Sequence, residues 1–165
     1  MLYILTKTRY VDRLEQFLKK EKIKHKIFTK LNLPEKLGKN YDLGVSYCWT
    51  RLVKESDLSI PKYGWVNYHP APLPKYKGGD PYTQGVKNKV TKWVVTAHKM
   101  KEVYDEGQIY DEIEIDLDYP PVTKEELGAI AHHYCFQLFK DTISMYTKGI
   151  GFTRLKCINS CSASH

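Results

Sequence analysis

In GWVNYHPAPLPKYKGGDP (residues 64–81) an apolar run ends on Asn67 and His69, and prolines follow at 70, 72 and 74. Strand alternation puts residues 67 and 69 on one side of the chain. A carboxamide can donate to a developing oxyanion, and an imidazole beside it can donate to the same oxygen or take a proton from a nucleophile. The prolines restrict the following backbone and would hold both side chains still. An Asn-x-His pair is also an ordinary polar end to a strand. Further on, Asp105 in KEVYDEG (101–107) reads as a turn former. Brought within reach of His69, its charge would favour the imidazolium and pass a proton onward.

Such residues need a sheet to position them. LYILT (2–6) is an apolar run of strand length, and Val11, Leu14, Phe17 and Leu18 recur at helical spacing behind it. HKIFT (25–29), DLGVSY (42–47) and GWVNYH (64–69) read as further strands. Strands alternating with helices in this way predict an α/β fold, a doubly wound, mainly parallel twisted sheet. Ligands then bind outside the carboxyl ends of the strands, where Asn67 and His69 would lie. KWVVTAHKM (92–100) and QIYDEIEID (108–116) flank the Asp105 turn and predict an antiparallel edge. After Pro120-Pro121, Thr123 and Glu126 form a capping box opening a helix with Leu127, Ala131, Cys135, Leu138 and Ile143 on one face. His132 and His133 fall off that face and read as surface, and His98 reads as a structural, hydrogen-bonded histidine, its nearness to the Asp105 turn leaving a minor site role open. The stretch 1–150 is expected to be one catalytic domain and 151–165, which loses periodicity, a loose tail.

A chain of 165 residues, 42% hydrophobic and 13% aromatic, suits a single core. The sequence shows neither a secretory leader nor an eighteen-residue apolar run, so the expected location is the cytoplasm, with no membrane partner. The four cysteines show no C-x-x-C spacing, and Cys48 and Cys135 sit in apolar segments, so neither a disulfide nor zinc is expected. A net charge of +7 favours anionic partners, phosphorylated metabolites or nucleic acid. TKTR (6–9) could hold a phosphate at a helix start through Thr6, Lys7, Thr8 and Arg9, or could be a plain helix cap beside solvated cations.

IPKYGWVNYHPAPLPKYKGGDP followed by VYDEGQIY resembles the folate-dependent formyltransferases, over about Tyr41 to Ile143. The resemblance implies a Rossmann-like formyltransferase fold, here shortened at the N-terminus, and a catalytic set of Asn67, His69 and Asp105. It implies 10-formyltetrahydrofolate as co-substrate and no metal. The folate pocket would be drawn from Trp49, Arg51, Leu52, Val103, Tyr104 and Gly107. Lys75, Tyr76 and Gly78 of the proline loop join residues 6–9 as expected acceptor contacts. The expected acceptor is the primary amine of a phosphorylated small molecule, first a nucleotide-linked amino sugar, with glycinamide ribonucleotide or aminoacyl-tRNA as alternatives. A folate-binding or nucleic-acid-binding module without activity is the contrasting class. An exposed edge strand leaves a homodimer open.

Overall fold

Strand β1 (Leu2–Thr6) is buried along its whole length because it has a parallel partner on each side, β2 (His25–Phe28) and β3 (Leu43–Tyr47). In the computed structural model, which describes residues 1–149, β4 (Trp65–His69) continues the parallel set beside β3. Strands β5 (Lys92–Lys99) and β6 (Ile109–Asp116) then add on as antiparallel neighbours. The order is β2-β1-β3-β4-β5-β6 in one six-stranded sheet. It is the mainly parallel sheet with an antiparallel edge that the sequence predicts, each strand lying within a residue or so of its expected bounds. The expected tail at 151–165 lies outside the described residues.

Alternation splits the core in two. Leu2, Ile4, Val45, Val66, Tyr68, Trp93 and Val95 face α1 (Val11–Lys20), α3 (Pro81–Lys87) and α4 (Lys124–Thr147). Tyr3, Leu5 and Trp65 face the other way, onto Leu37, Tyr41, Trp49 and Val53. Connectors rather than long helices cover that second face, with one helical turn, α2 (Glu55–Leu58), among them. Thr123 caps α4 as expected, its side chain accepting from the Glu126 N–H. The sequence reading did not anticipate α3, although Asp80 as its N-cap and Pro81 in its first turn are standard start signals.

The second face positions the site. Trp65, Asn67 and His69 alternate with Val66 and Tyr68, so Asn67 and His69 share the face covered by connectors. Asn67 pairs with Ser46 on β3 and with His98 on β5. Because β5 is antiparallel, it ends beside the start of β4, with Lys99 opposite Val66. The 100–108 turn must therefore fold back over the connector face to reach the end of β4.

Candidate active site

Asp105 is where the returning turn meets β4. It has φ +54, and its side chain is 6% exposed. One carboxylate oxygen, Oδ1, lies 3.3 Å from Asn67 Nδ2 and 3.4 Å from His98 Nε2. The other, Oδ2, accepts from the Gly78 N–H at 3.0 Å and lies 3.7 Å from His69 Nδ1. Burial raises the pKa of Asp105, but His98, the charge of His69 and the Gly78 N–H outweigh it and hold the carboxyl below its ordinary value. The group stays ionised at neutral pH.

His69 Nε2–H donates to the Tyr76 carbonyl at 2.7 Å, which leaves Nδ1 facing Asp105. Burial lowers its pKa despite the opposing pull of Asp105 and the Tyr76 carbonyl. The neutral ring is thus a base whose receiving nitrogen is set by the other nitrogen's hydrogen bond. Asn67 is oriented from behind. Ser46 Oγ–H donates to its Oδ1 at 2.7 Å, which turns Nδ2 toward His98, at 3.0 Å, and Asp105. His98 Nδ1 lies 3.0 Å from the Lys99 carbonyl, so Nε2 is the ring nitrogen that faces both Asn67 and Asp105. The ladder slips between Ala97 and His98, a bulge of the kind that re-aims side chains beside sites.

These groups line a cleft of about 520 Å³. Trp49, Arg51, Leu52, Val103 and Tyr104 line it as expected, and so do Lys7, Arg9 and Gly78. Five expected contacts do not. Thr6 is fully buried, its hydroxyl donating to the Tyr47 carbonyl at 3.0 Å. Thr8 is exposed at the start of a 3-10 turn (Thr8–Tyr10) whose N-cap side chain makes no hydrogen bond, so the expected side-chain cap at this helix start is absent. Lys75 projects over the Tyr76 ring, and that ring packs on Trp93, so Tyr76 offers the site only its carbonyl. Gly107 packs on backbone: a Cβ there would sit 1.4 Å from the Lys99 oxygen.

Sequence reasoning missed a second wall. His132, read as surface, is half-buried, with Nε2 2.9 Å from the Tyr10 hydroxyl and 3.1 Å from that of Tyr82. Its Nδ1 is 3.5 Å from Cys48 Sγ, which is 4.0 Å from Cys135 Sγ. One signal was present: His132 lies three residues before Cys135, on the neighbouring edge of the same helical face. His98 is also more than structural packing, since it touches both Asn67 and Asp105. Among the described residues no group of three or more His, Cys, Asp or Glu is placed to hold a metal, and no helix is long and apolar enough to cross a membrane.

Sheet order and mixed edge define a Rossmann-like α/β protein, and solved structures share that fold. An N-formyltransferase from Helicobacter canadensis, solved with folinic acid and dTDP-3-aminofucose, aligns with TM-score 0.76 at 19% identity over 90% of this chain and 64% of that one. Phosphoribosylglycinamide formyltransferase from Streptococcus pneumoniae aligns with TM-score 0.67 at 16% identity, over 88% of this chain and 98% of that one. Within this class the chain belongs to the formyl transferase family, whose model matches residues 14–142. Methionyl-tRNA formyltransferase of Ehrlichia chaffeensis is 35% identical over 79 residues, 48% of this chain and 26% of the relative. The match thus spans about a quarter of that relative's length.

Proposed function

We propose that the protein transfers a formyl group from 10-formyltetrahydrofolate to a primary amine, with Asn67, His69 and Asp105 as the catalytic residues of one domain over residues 1–150. The observation that carries this reading is convergence. Two neighbours on β4 and one residue from a turn about forty positions later meet at the cleft floor, Asp105 lying 3.3 Å from Asn67 and 3.7 Å from His69.

The formyl donor supplies an activated carbonyl carbon, and the protein's residues do the rest. Neutral His69 takes the amine proton on Nδ1, the nitrogen left free by the Tyr76 carbonyl. Ionised Asp105 stabilises the imidazolium that results, and the proton passes to the folate nitrogen as its bond to the formyl carbon breaks and tetrahydrofolate leaves. Asn67 lends a Nδ2–H to the carbonyl oxygen as charge develops there; its present 3.3 Å contact with Asp105 is long and easily exchanged. Leu52, Val103 and Tyr104 form a partly apolar mouth suited to a flat heteroaromatic ring, and Arg51 is placed to meet anionic groups carried on the donor.

For the acceptor, a nucleotide-linked amino sugar is the first choice. Lys7 and Arg9 put two cations on the same cleft, and Lys77 adds a third, paired at 2.8 Å with Glu106. Such a grouping suits a diphosphate. The fold likeness to the Helicobacter canadensis enzyme supports the same choice.

The test is release of tetrahydrofolate in the presence of a panel of amines: nucleotide-linked amino sugars, glycinamide ribonucleotide and aminoacyl-tRNA. Turnover with the sugar amines is expected. His69→Ala, Asn67→Ala and Asp105→Asn should each lower it by at least about a hundredfold. A folate analogue should still raise the melting temperature of each variant. A fully active His69→Ala enzyme would end the catalytic reading, and turnover with another amine alone would overturn the acceptor choice.

A further inference from the structure

The thiol pair in the second wall has no part in formyl transfer. Cys48 follows β3 directly, in a left-handed conformation (φ +51), with its N–H donating to the Tyr68 carbonyl at 3.3 Å. Cys48, 7% exposed, lines the cleft, and Cys135 behind it on α4 is fully buried. The two sulfurs are 4.0 Å apart, and His132 approaches Cys48 Sγ from the other side at 3.5 Å. An imidazole on one thiol and a second thiol within reach are the parts of a peroxide-sensing pair, a reactive cysteine and its resolving partner.

We propose that Cys48 is a modification site for small hydroperoxides entering through the cleft, and that Cys135 resolves the oxidised form as an intramolecular disulfide. In the first step the Cys48 thiolate attacks the peroxide. One S–O bond forms, the O–O bond breaks, and the leaving oxygen departs as water or an alcohol after taking a proton. Cys48 is then a sulfenic acid, oxidised by two electrons, and the peroxide is reduced by two. In the second step Cys135 Sγ attacks Cys48 Sγ, its proton leaves with the hydroxyl as water, and the disulfide closes. Closure brings the sulfurs from 4.0 Å to a bond of about 2.05 Å.

The surroundings fit the order of events. Burial raises the pKa of Cys48, but hydrogen bonds from Cys135 and His132 and the charges of His132 and Lys7 outweigh it and bring the thiol below its ordinary value. Burial and the neighbouring Cys48 push Cys135 the other way. Cys48 is therefore the attacking thiol and Cys135 the one held in reserve. The other polar groups around the pair are Tyr10 after β1, Arg13 on α1, Tyr47 on β3, Tyr68 on β4 and Tyr82 on α3; the tyrosines of this group have pKa values raised by burial. Closure joins the residue that follows β3 to α4.

The experiment uses the full chain with Cys157→Ser and Cys161→Ser, so that Cys48 and Cys135 are the two thiols left. Hydrogen peroxide is added, free thiols are counted, and peptides are mapped by mass spectrometry. Loss of both thiols with a Cys48–Cys135 cross-link, reversed by dithiothreitol, is expected. Adding Cys135→Ser should stop the reaction at a sulfenic acid on Cys48, trapped by a 1,3-diketone. Alkylation of Cys48 by iodoacetamide at pH 7 should run on the order of ten times faster than that of a free peptide cysteine. His132→Gln should move the pH midpoint of that alkylation upward. Cys48 reacting no faster than a peptide thiol, or oxidising without a cross-link while the protein stays folded by circular dichroism, overturns the proposal. None of these readouts depends on formyl transfer.

Discussion

Asn67 owes its orientation to a residue that touches no reacting atom. The Ser46 hydroxyl donates to Asn67 Oδ1 at 2.7 Å and so keeps the amide nitrogen on the Asp105 side. Without it the buried oxygen loses its partner, and the amide can turn its oxygen toward a carboxylate, which disfavours the charged form. Ser46→Ala should lower kcat by roughly tenfold with little change in KM, an activation cost of about 1.4 kcal/mol. Ser46→Thr, which restores a hydroxyl, should recover most of it. Steady-state kinetics check this, and an unchanged kcat in the alanine variant would remove Ser46 as a positioning residue.

At the scale of the element, the 100–108 turn decides whether the site exists. Lys99 N–H donates to the Gln108 carbonyl at 2.8 Å and closes the turn. Gly107 lies so tightly on Lys99 that an added Cβ would fall 1.4 Å from a backbone oxygen, which cannot rotate away. Gly107→Ala must therefore shift the turn carrying Asp105. A loss of about 1–3 kcal/mol in urea unfolding is expected. Turnover measured where the variant is still fully folded should fall further than that loss explains, because the carboxylate leaves Asn67 and His69. Wild-type activity in this variant would show that the turn tolerates the shift.

For the molecule as a whole, buried titratable groups make stability depend on pH. His69 has a folded pKa below its ordinary 6.5, and Asp105 one below its ordinary 3.8. In both cases the unfolded chain binds more protons as pH falls, so folding is favoured above those values and loses support on acidification. His69 acts first, from pH 6.5 downward, and Asp105 only below 3.8. Urea midpoints should decline from pH 7 to pH 5, and His69→Asn should flatten part of that decline. A midpoint that rises over this range in the wild type contradicts the assignment.

Much of this was legible in one dimension. The strands were readable because each is a short apolar run between turn signals, and α1 and α4 because their apolar residues repeat at helical spacing. Asn67 and His69 were legible as a pair because alternation alone puts them on one side. Asp105 stood out through its resemblance to a family motif, while its turn chemistry alone gave it no more than a loop role. The sequence by itself thus determined the six strands, the parallel core with its antiparallel edge, and the helices α1 and α4. Only the tertiary structure decided the rest, because nothing local in the chain encodes that β5 pairs against β4, that its turn folds back onto the connector face, or that Cys48, His132 and Cys135 meet. Those depend on which segments lie side by side once the sheet is wrapped, and local propensity carries no record of that.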